Sequence, residues 1–210
     1  MTSQVLSARL YEACRWTYRL AVLNVAWLVF SCAGLIVAGV FPATAAMFGV
    51  VRGWMLDGGD EQPVLAAFWR RYRSDLLPAN RLGYAMLLAG AVLYVDIRFF
   101  HSRPGLPSLI ALIVSLAVFV VYACTWIYLF PVYAHLNARW HEQMKVAAVI
   151  AVSHPLRTVL AAGSAVSLYF VFTRVPGLAV FFGVSVCASF VSWQTMQIFA
   201  KSRERVGGAG

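Results

Sequence analysis

No charged residue stands between Arg19 and Arg52. A helix on the surface of a soluble domain carries a polar face along its whole length. The stretch Leu20–Val51 offers little beyond Asn24, Ser31 and Thr44. It is also longer than the ~20 apolar residues that take a helix across a bilayer. This segment therefore belongs in lipid. The whole chain agrees: 61% of its 210 residues are hydrophobic and 12% charged, against about 45–50% and about 25% in ordinary soluble domains.

Gly34, Gly39 and Pro42 interrupt the stretch, so it is either one long span or two spans in a tight hairpin. The arginines decide. Arg9, Arg15 and Arg19 precede it, and Arg52, Arg70, Arg71, Arg73 and Arg81 follow. Two spans put both groups on one side of the membrane, as the positive-inside rule prefers. Pro42 suits a helix start, where its missing N–H would be unpaired in any case. Arg9, Arg15 and Arg19 ahead of an apolar run, with Ala43-Thr44-Ala45 behind it, imitate a signal peptide. The run outlasts the usual h-region of about 7–15 residues, so it is read as a retained span.

The reading that results is an all-α, polytopic transmembrane helical bundle. It has about six membrane helices, at 16–35, 42–56, 82–95, 108–132, 156–172 and 176–199, and five if Pro42–Leu56 does not cross. Residues 1–200 form a single membrane domain, and 201–210 a disordered basic tail. On this topology fourteen basic residues lie inside and three, Arg98, Arg103 and Arg174, outside. Both termini are then cytoplasmic. The net charge of +9 reads as an orientation signal and a contact for the lipid bilayer, and not as a nucleic-acid footprint.

One cytoplasmic amphipathic helix is expected over 64–77. Leu65, Phe68, Trp69, Tyr72 and Leu76 recur at helical spacing, with Arg70, Arg71 and Arg73 mostly elsewhere. Pro63 falls in its first turn and Pro78 ends it, while Asp60 and Glu61 face its positive end. Such a helix lies in the membrane interface or docks on a partner. Phe41-Pro42 and Phe130-Pro131, each followed by a partly amphipathic segment and then an outward span, hint at an internal repeat.

Chemistry-bearing motifs are absent from the sequence. There is no GxxxxGK[ST] phosphate loop, no GxSxG elbow and no HExxH, and no carboxylate pair falls within a span. Cys14, Cys32, Cys124 and Cys187 show no disulfide pattern and read as packing residues. His101, His135, His141 and His154 show no ligand spacing. No catalytic residue, metal or cofactor is therefore expected. Asn24, deep in the first span and one turn from Trp27, either meets a substrate or forms an interhelical hydrogen bond, and the second is preferred. Gly163/Ser167 and Gly183/Cys187 are small pairs four apart that let helices approach, within one chain or between chains.

A set of local motifs is familiar. Leu23-Asn24-Val25-Ala26-Trp27 precedes Phe41-Pro42-Ala43-Thr44-Ala45-Ala46-Met47-Phe48; Phe68-Trp69-Arg70-Arg71-Tyr72-Arg73 follows, then Tyr128-Leu129-Phe130-Pro131 and Pro155-Leu156-Arg157-Thr158. The chain resembles the YesL-like family of bacterial integral membrane proteins, a family of unknown function. The resemblance runs from about Val5 to Ala200, and Tyr72 departs from the phenylalanine expected there. It implies a companion of carbohydrate uptake by ABC-type transporters in the bacterial inner membrane, and no catalytic residue. Three functional classes follow: a non-catalytic accessory component that docks on a carbohydrate ABC permease through Phe68–Arg73; a small transporter or channel acting as a homo-oligomer; and, ranked last, an enzyme on lipid-linked sugars.

Overall fold

In the computed structural model, residues 2–56, 62–136 and 138–207 are described. They form seven α-helices: α1 Thr2–Ala33, α2 Val40–Leu56, α3 Val64–His101, α4 Leu106–His135, α5 Trp140–Ser153, α6 Pro155–Arg174 and α7 Pro176–Gly207. No strand occurs among the described residues. Five helices are long and apolar enough to cross a membrane, namely α1, α3, α4, α6 and α7. The chain is an all-helical membrane bundle.

The shortest of the apolar helices sits at the centre. α2 packs against α1, α3, α4 and α7. It buries Pro42, Ala43, Ala45, Ala46, Met47, Phe48, Gly49, Val50, Val51 and Trp54. Alanine and glycine on several sides of one helix let four neighbours approach its backbone closely, which is how helices associate where water supplies no drive. Around it close Leu23, Phe68, Leu82, Tyr128 and Leu129, all fully buried. α5 lies against α4, and α6 against α7.

The α1–α2 turn is tight. Leu35 and Ile36 take φ of 54° and 62°, a left-handed region costly for branched residues. Gly34 and Gly39 meet backbone to backbone, leaving no room for a Cβ. The turn and the last turn of α1 leading into it are pinned from outside by α3. Tyr72 donates to Phe30 O at 3.1 Å, Asn80 Nδ2 to Ala38 O at 2.9 Å and Tyr84 to Val37 O at 2.6 Å.

Three features differ from the sequence reading. Pro78 does not end a helix: the amphipathic segment and the third span are one continuous α3 with Pro78 inside. An interior proline costs about 3 kcal/mol. Burial on both sides of it, of Phe68 and Tyr72 before, against Phe30 of α1, and of Ala79, Leu82 and Met86 after, holds the helix through it. α5 forms its own 14-residue helix, with Pro155 starting α6. α7 continues helical to Gly207, beyond the expected end of the last span. Asp60 and Glu61 lie outside the described residues. The two Phe-Pro units occupy opposite helix ends, the first turn of α2 and the last turns of α4, although their rings Phe41 and Phe130 stack at 6.2 Å.

Candidate functional site

Below the central helix the bundle leaves a cavity of 990 Å³. α2 contributes Ala45, Gly49 and Arg52, and α3 contributes Arg71, Asp75, Pro78 and Arg81. Tyr133 and His135 come from the end of α4, Arg139 from the α4–α5 link, and Trp140, His141 and Gln143 from α5. Arg71, Asp75 and Pro78 recur at helical spacing, so one face of α3 lines the space. Four arginines and one carboxylate, Asp75, are among the lining residues.

Each arginine has a distinct support. Arg71 lies over two glycines of α2. A Cβ at Gly49 would come within 2.8 Å of Arg71 Nη1, while one at Gly53 would stay 3.6 Å from Nη2. Asp75 Oδ1 accepts the Tyr133 hydroxyl at 3.0 Å, and the charge of Arg71 acts on the same carboxylate. The Arg81 guanidinium lies 5.5 Å from the centre of the Trp140 ring, a cation–π arrangement. Among the described residues Arg52 Nε is buried without a hydrogen-bond partner. Arg139 stands at the N-cap of α5, its backbone N–H donating to Glu142 Oε2 at 3.3 Å.

His135 is held from above and below. Its Nδ1 bonds Pro131 O at 2.8 Å, and because a carbonyl only accepts, Nδ1 carries the proton there. Its ring stacks on Phe199 at 5.6 Å. Nε2 is buried and unpartnered among the described residues. No group of three His, Cys, Asp or Glu able to hold a metal ion occurs among those residues. What the cavity offers chemically is a set of fixed, forked cationic donors, the geometry that matches planar or tetrahedral oxyanions.

Residues 20–97 match a family of proteins of unknown function, DUF624. The chain is 37% identical to YesL of Bacillus subtilis (strain 168) over 155 residues, 74% of this chain and 72% of that one. It is 31% identical to YteU of the same organism over 178 residues, 85% of this chain and 79% of the relative. The chain belongs to the YesL-like family. A third B. subtilis relative, YesV, is 27% identical over 202 residues and 96% of both chains. All three carry the description "uncharacterized protein". No solved structure matches this YesL-like chain at a significant level.

The geometry explains the YesL-like motif residues as packing. Asn24 is buried and uses its whole amide on α7. Nδ2 donates to Ala179 O at 3.1 Å and Val180 O at 2.8 Å. Oδ1 accepts from Val184 N at 2.9 Å and Ser185 N at 3.0 Å. No polar atom of Asn24 is left for a ligand. Trp27 Nε1 donates to Thr44 Oγ1 at 3.0 Å, and Thr44 donates on to Val40 O at 2.7 Å. That bond ties the asparagine–tryptophan segment to the proline–alanine–threonine segment. Pro42, Ala43 and Pro131 are buried. Phe41 packs onto the bare Cα of Gly83 and against Tyr84, Trp126 and Phe130.

The run Phe68–Arg73 divides three ways. Phe68 and Tyr72 are buried against Phe30. Arg71 points into the cavity. Trp69, Arg70 and Arg73 are exposed, and Arg70 Nη1 donates to Gln62 Oε1 at 2.9 Å. The cavity itself escapes a reading of the sequence. Its arginines read there as topology signals, and Asp75 and Tyr133 go unremarked. The signal that points to it is the Arg71/Asp75 pair four apart, opposite Gly49 and Gly53 four apart. Of the small-residue pairs, Gly163 has open space around it and Gly183 meets only Ala179 Cβ at 4.0 Å, so neither marks a tight contact within this chain.

Proposed function

We propose that this YesL-like protein is a non-catalytic accessory component of carbohydrate uptake in the bacterial inner membrane, with both termini cytoplasmic, docking on an ABC-type permease. The observation that carries this reading is the exposed face of α3. Trp69 is 46% exposed, and Arg70 and Arg73 flank it. Aromatic and arginine side chains together are the types enriched at protein interfaces. They lie beside the N-terminal end of α3, at the basic end of the bundle. The carbohydrate context comes from the family resemblance.

The test is co-purification from native membranes in mild detergent. A permease subunit is expected in the eluate, and Arg70→Glu with Arg73→Glu is expected to reduce it strongly. Arg71→Glu is unsuited to this purpose, because Arg71 faces inward. Recovery of the chain without a permease overturns the reading. The alternative, a small transporter or channel acting as an oligomer, draws on the cavity; it loses Asn24 as its substrate contact.

A further inference from the structure

We propose that the cavity between α2, α3, α4 and α5 is a binding site for a phosphate-bearing ligand, with Arg71, Arg81 and Arg139 as its anion contacts and Arg52 and His135 at its inner wall. This goes beyond the docking role and does not depend on it.

The charge of the lining points to an anion. Among the residues lining the space, Arg52, Arg71, Arg81 and Arg139 are cationic and Asp75 alone is anionic. Arg52, Arg81 and Arg139 form no ion pair with a carboxylate among the described residues. Gathering guanidinium groups without counter-charges is unfavourable, since like charges close together repel in a medium less polar than water. An anion in their midst removes that cost. A phosphate monoester carries about −1.5 to −2 charges at neutral pH. That suits Arg52, Arg81 and Arg139, which have no carboxylate partner among the described residues.

The cationic side chains are also held in place. Arg71 is positioned rather than waving in solvent. Gly49 leaves a groove that its side chain fills, and the Tyr133–Asp75 pair sits one turn further along α3. Arg81 lies over Trp140. One polar nitrogen at the wall, Arg52 Nε, is a donor buried with no partner among the described residues. A buried polar atom without a partner costs about 1–3 kcal/mol, so an oxyanion that satisfies Arg52 Nε is bound at reduced cost. The guanidinium fork meets phosphate in parallel hydrogen bonds.

The size of the cavity fits a ligand larger than an inorganic ion. At 990 Å³ the space falls at the upper end of the ~300–1,000 Å³ typical of ligand sites. It takes far more than a bare anion, so the phosphate belongs to a larger molecule. Two sources share that chemistry: a soluble phosphate ester from the aqueous side, and the headgroup of an anionic phospholipid.

The experiment uses the purified full chain in nanodiscs, with intrinsic tryptophan fluorescence and thermal stability as readouts. The probes are inorganic phosphate, glucose 6-phosphate, and nanodiscs of phosphatidylglycerol against phosphatidylcholine. Saturable stabilisation by glucose 6-phosphate in phosphatidylcholine identifies a soluble ester. Stabilisation by phosphatidylglycerol alone identifies a headgroup site. In either case Arg71→Gln and Arg139→Gln should each weaken binding about tenfold or more. Arg73→Gln, outside the cavity, should change it less than about twofold. Arg139 is exposed on a linker, so its variant keeps the test valid should Arg71→Gln misfold. The proposal is overturned if no phosphate probe binds, or if Arg73→Gln costs as much as Arg139→Gln, since binding would then be diffuse surface attraction.

Discussion

The Tyr133 hydroxyl donates to Asp75 Oδ1 at 3.0 Å, joining the end of α4 to α3 across the cavity wall. A hydrogen bond to an ionised acceptor is worth about 1.5–3 kcal/mol. Tyr133→Phe is therefore expected to lower stability by about that much, and Asp75→Asn to remove most of the same interaction. In a double-mutant cycle by chemical unfolding in detergent, the two changes should be coupled by at least about 1 kcal/mol. Independent effects would mean that the pair does not hold the two helices together.

Gly49 and Gly53 make a matched comparison one turn apart on α2. Alanine is better than glycine within a helix by about 1 kcal/mol. Gly53→Ala should gain part of that, because its Cβ would rest 3.6 Å from Arg71 Nη2, ordinary contact. Gly49→Ala should gain less or lose, because its Cβ would approach Arg71 Nη1 to 2.8 Å and Cδ to 3.0 Å, and Arg71 would have to leave its groove. Unfolding midpoints of the two variants check this. Equal shifts would show that Arg71 does not occupy the groove.

Asn24 clamps α1 to α7 through four contacts with backbone atoms of residues 179–185. Interhelical hydrogen bonds in membranes average about 0.6 kcal/mol each, so Asn24→Ala should cost about 2–2.5 kcal/mol. Asn24→Asp should cost more, since a carboxylate oxygen would then face the carbonyls of Ala179 and Val180. The loss should appear in unfolding, and ligand binding measured on folded protein should stay unchanged. A loss of binding without a loss of stability would restore Asn24 as a ligand contact.

What could be read in advance follows from where the information resides. Membrane spans are local: a run such as Leu106–Val121 is apolar whichever neighbours it meets, and the α1–α2 hairpin follows from Gly34, Gly39 and the arginines around it. The continuity of α3 through Pro78 is not local. Propensity argues for a stop there, and only burial of Phe68, Tyr72, Ala79 and Leu82 on both sides of the proline outweighs it. The cavity is less local still. Arg70, Arg71 and Arg73 are alike in sequence. They part company only once the phase of α3 is set against Gly49 and Gly53. The Asn–Trp and Pro–Ala–Thr–Ala segments were visible as a pattern, but the Trp27–Thr44 bond that joins them needs the fold.

The depth of the α1–α2 turn can be argued from lengths. Arg19 and Arg52 bound the apolar hairpin. From Arg19 to Ala33 is about 21 Å of helix and from Arg52 to Val40 about 18 Å, at 1.5 Å per residue, against a hydrocarbon core of ~30 Å. Trp16 and Trp54 meet edge to face at 5.8 Å, with Arg19 over Trp54 at 5.5 Å. Tryptophan and arginine together are anchors of the headgroup level. With that end at the interface, the turn stops inside the hydrocarbon. Its side chains fit: Leu35 is 85% exposed, Ile36 61% and Val37 69%. Its backbone fits too, because non-helical polar groups at that depth must be satisfied by protein. Asn80 and Tyr84 donate to two of its carbonyls, Ala38 O and Val37 O, and Tyr72 to Phe30 O in the last turn of α1. A hairpin that enters and returns still leaves both basic segments on one side. Ile36→Cys, in a chain whose four native cysteines are replaced by serine or alanine, should therefore resist a water-soluble maleimide applied from either side of the membrane. A cysteine at Arg103, in the α3–α4 turn, should react from one side. Rapid labelling at position 36 from that same side would show that α1 and α2 cross completely.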